Sequence, residues 1–235
     1  MIMRDKIISE HIFELRYEPF GTLLDIRGTI ADEIKKQLDF KHWVITENRI
    51  DFRDSENGSR EMAFISFQNL GYVALRPPTK NYFQDKSARF MKEIQKIENF
   101  RMNPIHRIGI RSMFVISYDS KFESLKDLFG QKTLSRETDF EKLFEAKIFD
   151  NGISMIFKSG DSFFKIVSGP MEKEQMKGFL RIHDDLPEVG LFFDIDNYKK
   201  DLGEIDERGI SLLIKDFSEK SWSRLENFKT LIFGS

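Results

Sequence analysis

The sequence predicts an α+β protein in which one or more antiparallel sheets are backed by helices. Several short segments alternate apolar and polar residues, which is the period of a half-buried strand. Between them lie segments whose apolar residues recur every three or four positions, which is typical of an amphipathic helix. The 24 Phe, against 5 Tyr and 2 Trp, indicate a core filled by aromatic rings that need no hydrogen-bond partner.

The first half of the chain is predicted to start with a strand, followed by a helix and a meander of short strands. Residues 11–17 alternate strictly, and Pro19 ends that strand. Apolar residues at helical spacing over 22–38 indicate a helix with Thr22 as its N-cap. The segments expected to form two antiparallel strand pairs and then a second helix are 43–46, 50–53, 62–67, 72–75 and 81–99.

The longest and best-patterned strand candidate covers residues 104–116. Alternation assigns Ile108, Ile110, Phe114 and Ile116 to one face and Arg107, Gly109 and Arg111 to the other. We therefore expect a central strand with a polar side. The two arginines would point the same way across a residue that has no side chain.

The second half is predicted to form another meander that ends in a long helix. A short helix is expected over 125–129, and Asn151-Gly152 favours a hairpin between strands 144–149 and 153–158. Further strands are expected at 162–168, 179–182 and 189–196, with helical spacing over 210–228. We divide the chain into two similar halves, 1–118 and 119–235, that pack tightly together.

Composition limits the classes of function. The 37 basic and 39 acidic side chains give a formal charge of −2, so no polyanionic partner is required. The absence of Cys excludes disulfides, thiolate nucleophiles and cysteine metal sites. Charges at Arg4, Asp5 and Lys6 come too early for a signal peptide, and no apolar run reaches the length of a membrane span. We therefore expect a cytoplasmic protein.

The arginines of the central strand form a candidate anion site. Arg107 and Arg111, with Arg16 of the first strand as a third cation, could bind a carboxylate or a phosphate between their guanidinium groups. The alternative is that Asp or Glu from an adjacent strand pairs with them and no ligand binds.

Asp194 and Asp196 form a candidate metal site at the expected end of the last strand. Paired carboxylates in this position bind Mg²⁺ in many phosphoryl-transfer enzymes, although strand-end charges are more often solvated. The four His residues are scattered and never have the spacing of a helical metal pair. No P-loop, dinucleotide fingerprint or Gly-x-Ser-x-Gly elbow occurs, so no cofactor is expected. Gly28 and Gly109 are interpreted as close-packing positions.

Three short patterns carry a family resemblance: Phe13-Glu14-Leu15-Arg16-Tyr17, Arg107-Ile108-Gly109-Ile110-Arg111 and Asp194-Ile195-Asp196. In these the chain resembles a sporadically distributed, uncharacterised bacterial protein family with an Arg-x-Gly-x-Arg central strand. Ser112 stands where that family usually has Tyr. The resemblance implies a compact α+β fold and a mobile-element or host-conflict context. It brings no activity and no catalytic residues.

The sequence therefore predicts a non-catalytic binding or assembly module more readily than an enzyme. A protein partner or a second copy of the chain is the expected ligand, because an antiparallel sheet with helices on one side leaves a face and two edges uncovered. Nucleic-acid binding is the first alternative, and a metal-dependent phosphoryl-transfer enzyme is the second. No membrane partner is expected.

Overall fold

A computed structural model describes residues 6–134 and 137–234, with the side chains of 137–139 left out. The chain has an α+β fold, as predicted. Its nine strands are β1 (Ile7–Tyr17), β2 (His42–Ile45), β3 (Arg49–Arg53), β4 (Glu61–Ser66), β5 (Asn69–Leu75), β6 (Ile105–Ser117), β7 (Ile153–Ser159), β8 (Ser162–Glu172) and β9 (Val189–Gly203). Its six helices are α1 (Leu23–Leu38), α2 (Tyr82–Gln95), α3 (Phe122–Thr133), α4 (Glu137–Phe144), α5 (Lys173–Lys177) and α6 (Glu207–Phe233).

The strands form one antiparallel sheet in the order β2-β3-β4-β5-β1-β6-β9-β8-β7. Two stretches of the chain, 7–95 and 105–233, repeat one order of elements. Each starts with an inner strand, β1 or β6, and passes through helix to an outer edge, β2 or β7. It then returns inward strand by strand and ends in a helix, α2 or α6. Because β1 pairs with β6, the two stretches share one continuous sheet.

One face of the sheet is covered by α1, α2, α3 and α6. On this side the apolar residues of the predicted alternation are fully buried, among them Phe13 and Leu15 of β1 and Ile110 and Phe114 of β6. They pack against helix residues such as Phe90 and form two apolar clusters, one under each half of the sheet. Burial of this aromatic and aliphatic surface is the main favourable contribution to folding.

The opposite side of the sheet, which we call the open face, is only partly covered. Residues 173–188, which include α5, lie across one part of it. Met176, Leu180 and Leu186 from this segment pack with Met113 and Phe192 of the sheet. No helix in the described part of the chain is long and apolar enough to cross a membrane.

The predicted hairpin at Asn151-Gly152 is wrong. Residues 145–152 form no strand, and Phe144 ends α4 instead of starting a strand. Asn151 is buried, and its side-chain amide donates to the Lys126 carbonyl, so this Asn-Gly step serves packing beside α3. The strands predicted at 153–158 and 162–168 correspond to β7 and β8, which a turn at Gly160, with a φ of 62°, joins.

Three further expectations differ from the structure in detail. Residues 179–182 form no strand, because Leu180 and Ile182 pack onto the open face from a loop. The last strand continues to Gly203, which places Asp194 and Asp196 in mid-strand instead of at its end. Thr22 precedes α1, but its side chain makes no capping hydrogen bond.

Candidate binding surface on the open face

The predicted site residues all lie on the open face, on three adjacent strands. Arg107 and Arg111 share one side of β6, as the alternation predicts, and Arg16 of β1 lies opposite Arg107 in register. On the neighbouring strand β9, Asp196 lies opposite Arg111 on the same face of the sheet. The fold therefore brings the candidate anion site and the candidate metal site into one cluster.

Each arginine of β6 is paired with an aspartate of β9. Arg107 Nη2 donates to both carboxylate oxygens of Asp196, at 2.8 and 3.0 Å. Arg111 donates through Nε and Nη2 to Asp194, with the shortest distance 2.8 Å. The Asp194 carboxylate raises the pKa of Arg111. Burial raises the pKa of Asp196, against the opposing effect of Arg107. The cross-strand ion pairs are the alternative that the sequence left open.

Arg16 is neutralised within its own strand. Its Nε donates to Glu14 Oε1 at 2.9 Å, and Arg107 Nη1 lies 3.6 Å from the other Glu14 oxygen. Burial raises the pKa of Glu14, but hydrogen bonds from Arg16 and Asn69 outweigh it, so the pKa lies below its usual value. Glu14 therefore links the first strand to the arginines of β6.

A fourth pair extends this cluster under residues 173–188. Glu10 of β1 is 1% exposed and accepts hydrogen bonds from the backbone N–H of Arg181, at 2.8 Å, and from its guanidinium, at 3.2 Å. Burial raises the pKa of Glu10, and Arg181 opposes that shift. The full set, which we call the arginine–carboxylate network, consists of Arg16, Arg107, Arg111, Arg181, Glu10, Glu14, Asp194 and Asp196. Its formal charges cancel.

The space beside Gly109 is occupied. A Cβ atom at Gly109 would lie 3.2 Å from Arg107 Nη2 and 3.2 Å from Tyr198 Cβ. The Arg107 guanidinium lies over the Tyr198 ring at 4.9 Å from its centroid. On its other flank, Tyr198 stacks on Phe163 at 5.5 Å with planes 14° apart. The Arg107 guanidinium and Tyr198 therefore occupy the space over Gly109, and neighbours already cover the ring faces.

Three lysines near these rings have no ion-pair partner among the described residues: Lys158, Lys165 and Lys200. Lys158 lies 5.8 Å from the centroid of Phe163, and Lys200 lies 5.5 Å from that of Tyr198. Lys165 lies opposite Asp196 in register and is exposed. The β7–β9 side of the open face therefore has more free positive charge than its centre.

Asp194 and Asp196 do not form a ready metal site, because each carboxylate is held by an arginine. A cation would have to displace Arg107 and Arg111 to reach them. No group of three His, Cys, Asp or Glu residues suited to a metal occurs in the described ranges.

A cavity of about 680 Å³ lies away from the arginines, at the end of β6. It is lined by residues 117–121 and 185–189, with Lys6 at its margin. Charges of both signs line it, among them Lys121 and Glu188, so it selects no ligand by charge.

The exposed surface that sequence reasoning missed lies in α4, the loop after it and the first half of β7. Six of the twelve large apolar side chains exposed in the described structure fall within residues 140–156, which we call the 140–156 segment. They are Phe140, Leu143, Phe144, Phe149, Met155 and Ile156. The first three have helical spacing and lie in α4, for which no helix was predicted. Phe144 was assigned instead to a strand over 144–149, because of the Asn-Gly step that follows it.

No protein family and no curated protein matches the sequence. The resemblance to a bacterial family with an Arg-x-Gly-x-Arg strand therefore stays a prediction.

Proposed function

We propose that the protein is a binding and assembly module whose partner is a protein, and that the 140–156 segment is its contact surface. The observation that carries this proposal is the concentration of exposed apolar side chains in that segment. Leu143 is 71%, Phe144 70% and Phe149 89% exposed. In the rest of the described structure most large apolar residues are buried under helices or under residues 173–188, and the six exposed ones are spread between residues 24 and 231.

The helix α4 strengthens this proposal. Phe140, Leu143 and Phe144 share one side of the helix because they are three and four residues apart. In a helix that packs on its own protein, such a side faces the core. Here it faces solvent, and exposed apolar patches of several hundred Å² are uncommon on monomers and mark interaction sites.

The chemistry of the open face supports a protein partner more than a polyanion. The four arginines already have carboxylate partners, so a phosphate would have to compete with Asp194, Asp196 and Glu14. Arg and Tyr held in fixed positions are enriched at protein interfaces. No catalytic step is part of the proposal.

The test compares the self-association of two Leu→Ser variants, one inside the 140–156 segment and one control at an exposed leucine outside it. Leu143 is 71% exposed in α4, and Leu212 is 58% exposed in α6, outside the segment. We expect the unchanged protein to show a mass above that of one chain in size exclusion with light scattering, and lysine cross-links to concentrate near Lys142 and Lys147. Leu143→Ser should weaken this association, and Leu212→Ser should not. A strict monomer with no cross-linked protein would contradict the proposal.

Nucleic-acid binding is the second candidate, and the free lysines of the open face favour it. Lys158, Lys165 and Lys200 surround the Phe163–Tyr198 pair, and basic residues interleaved with aromatics are typical of single-strand binding sheets. Against it, the stacked rings leave their faces covered, so bases could not stack on them.

Filter binding to mixed single-stranded RNA and DNA distinguishes the two candidates. Because phosphate contacts release counterions, true binding falls steeply as salt rises. The proposed protein-binding function predicts no salt-sensitive retention. Retention at low salt that is lost in Lys165→Gln would favour nucleic acid instead.

A further inference from the structure

The edge strand β7 has free backbone groups and few of the features that keep sheet edges apart. It pairs only with β8 in the described sheet, in a register without a bulge from Ile153 to Ser159. Natural proteins protect such edges with proline, bulges or several charges. β7 contains no proline, and its only charged residue is Lys158 near one end.

The turn that joins β7 to β8 determines which backbone N–H and C=O groups of β7 point away from β8. Gly160 and Asp161 form a two-residue connection, and positive φ at Gly160 fits a type II′ turn. In such a hairpin the residues next to the turn, Ser159 and Ser162, form a hydrogen-bonded pair, and hydrogen bonding then alternates along the strands. The N–H and C=O groups of Ser154, Ile156 and Lys158 therefore face away from β8.

We propose that β7 pairs antiparallel with β7 of a second copy of this chain about a two-fold axis at Ile156, which joins two nine-stranded sheets into one. This inference rests on the proposed function, because it names the protein partner that part of the 140–156 segment binds. In this arrangement Ile156 lies opposite its own equivalent, and the two exchange both backbone hydrogen bonds.

The charges along β7 are compatible with this symmetry. Pairing about Ile156 puts Lys158 opposite Ser154 of the second copy and Met155 opposite Phe157. No like charges meet, which would be destabilising across an antiparallel pair. Ile156 is 66% exposed on the open face, and Met155 is 42% exposed on the other side, so both sides of the strand gain apolar contacts.

The proposed contact is centred on the strand. Antiparallel pairing of the two seven-residue β7 strands would bury Ile156 and Met155 of both copies, together with the free backbone groups of the edge. The other sheet edge, β2, is only four residues long, and its neighbour β3 carries Arg49, Asp51 and Arg53.

The absence of Cys makes a clean experiment possible, because each single-Cys variant has one thiol. With Ile156→Cys the two Cα atoms would be about 5.5 Å apart across a hydrogen-bonded pair, within the range of a disulfide. Ser154→Cys is the matched control: it is exposed on the same face of the same strand, but its equivalents would be offset by four residues, or about 13 Å.

Under mild oxidation with oxidised glutathione, we expect Ile156→Cys to form a disulfide-linked dimer and Ser154→Cys to stay largely unlinked. Equal linking of both variants would indicate random collision and overturn the inference. If neither variant links while light scattering still shows a dimer, the β7 register is wrong and the proposed assembly function stands. If light scattering shows a monomer and lysine cross-links join the 140–156 segment to a different protein, self-association fails and the proposed function again stands.

A charged variant gives a second, independent readout. Ile156→Lys places two ammonium groups opposite each other in the dimer, while the exposed position lets the single chain fold. We expect the dissociation constant of the dimer to rise about tenfold or more. An unchanged constant by sedimentation equilibrium would overturn the β7 pairing.

Discussion

The fold buries a neutral histidine in the core. His11 is 1% exposed, and its Nδ1 lies 2.9 Å from the Ser112 hydroxyl. Phe83, Phe114 and Trp222 surround its ring. Burial lowers the pKa of His11 to about 3. The charged form is therefore tolerated only in the unfolded chain.

This histidine makes stability depend on pH in a defined direction. Below its unfolded pKa of about 6.5, the unfolded state binds a proton that the folded state does not, so His11 should lower the free energy of unfolding by about 2 kcal/mol between about pH 7.5 and pH 5. We expect His11→Asn to be less stable at neutral pH but to lose this pH slope. Urea unfolding at several pH values measures both.

The experiment compares how the free energy of unfolding depends on pH in the unchanged protein and in His11→Asn. Glu10 and Asp196 have raised pKa values, so their contributions to stability fall as pH rises and partly mask the histidine. These contributions are the same in both proteins and cancel in the comparison. An identical slope in His11→Asn would contradict the assignment.

At the scale of single elements, sequence patterns predicted the strands well and the contacts between them incompletely. Alternation placed Arg107 and Arg111 on one face of β6, and the structure agrees. The sequence indicated only that Asp or Glu from an adjacent strand could neutralise them. The structure identifies these partners as Asp194, Asp196 and Glu14.

The pairing of β9 with β6 explains why the aspartate partners of Arg107 and Arg111 were not predicted. It places Asp194 and Asp196 beside the arginines, yet the two strands are separated by more than seventy residues, and local periodicity carries no information about such contacts. The strand predicted at 144–149 was wrong for a local reason: the Asn-Gly step favoured a hairpin, whereas Phe144 ends α4 and residues 145–149 form no strand.

Substitution by alanine should change the free energy of unfolding in opposite directions at Gly109 and Gly28, which were both interpreted as close-packing positions. At Gly109 a Cβ would lie 3.1 Å from the Asn197 carbonyl, so we expect Gly109→Ala to cost about 1–3 kcal/mol and to displace Arg107. Gly28 was interpreted as a close-packing position, but no atom lies within 4 Å of its Cβ site in α1. Gly28→Ala should stabilise by roughly 0.5–1 kcal/mol.

Thermal or urea unfolding of the two alanine variants measures both effects. The free energy of unfolding should fall for Gly109→Ala and rise for Gly28→Ala. Destabilisation by both substitutions would contradict the open space beside Gly28.

At the scale of the whole molecule, the stretches 7–95 and 105–233 have similar topologies. Each inner strand leads outward to a sheet edge, and the chain returns to the centre. The edges differ, because β2 has only four residues and its neighbour β3 carries three charges, whereas β7 has seven residues and a single charge, Lys158. A sheet built in this way has one edge suited to extension by another strand.

Hydrogen exchange on the unmodified protein tests the central claim, that β7 is a joining edge, most directly. As protein concentration rises from low micromolar to near millimolar, backbone amides of residues 153–159 should exchange more slowly. Those of β2, the opposite edge, should keep a constant rate and serve as the internal control. Exchange in β7 that stays fast and independent of concentration would contradict the claim.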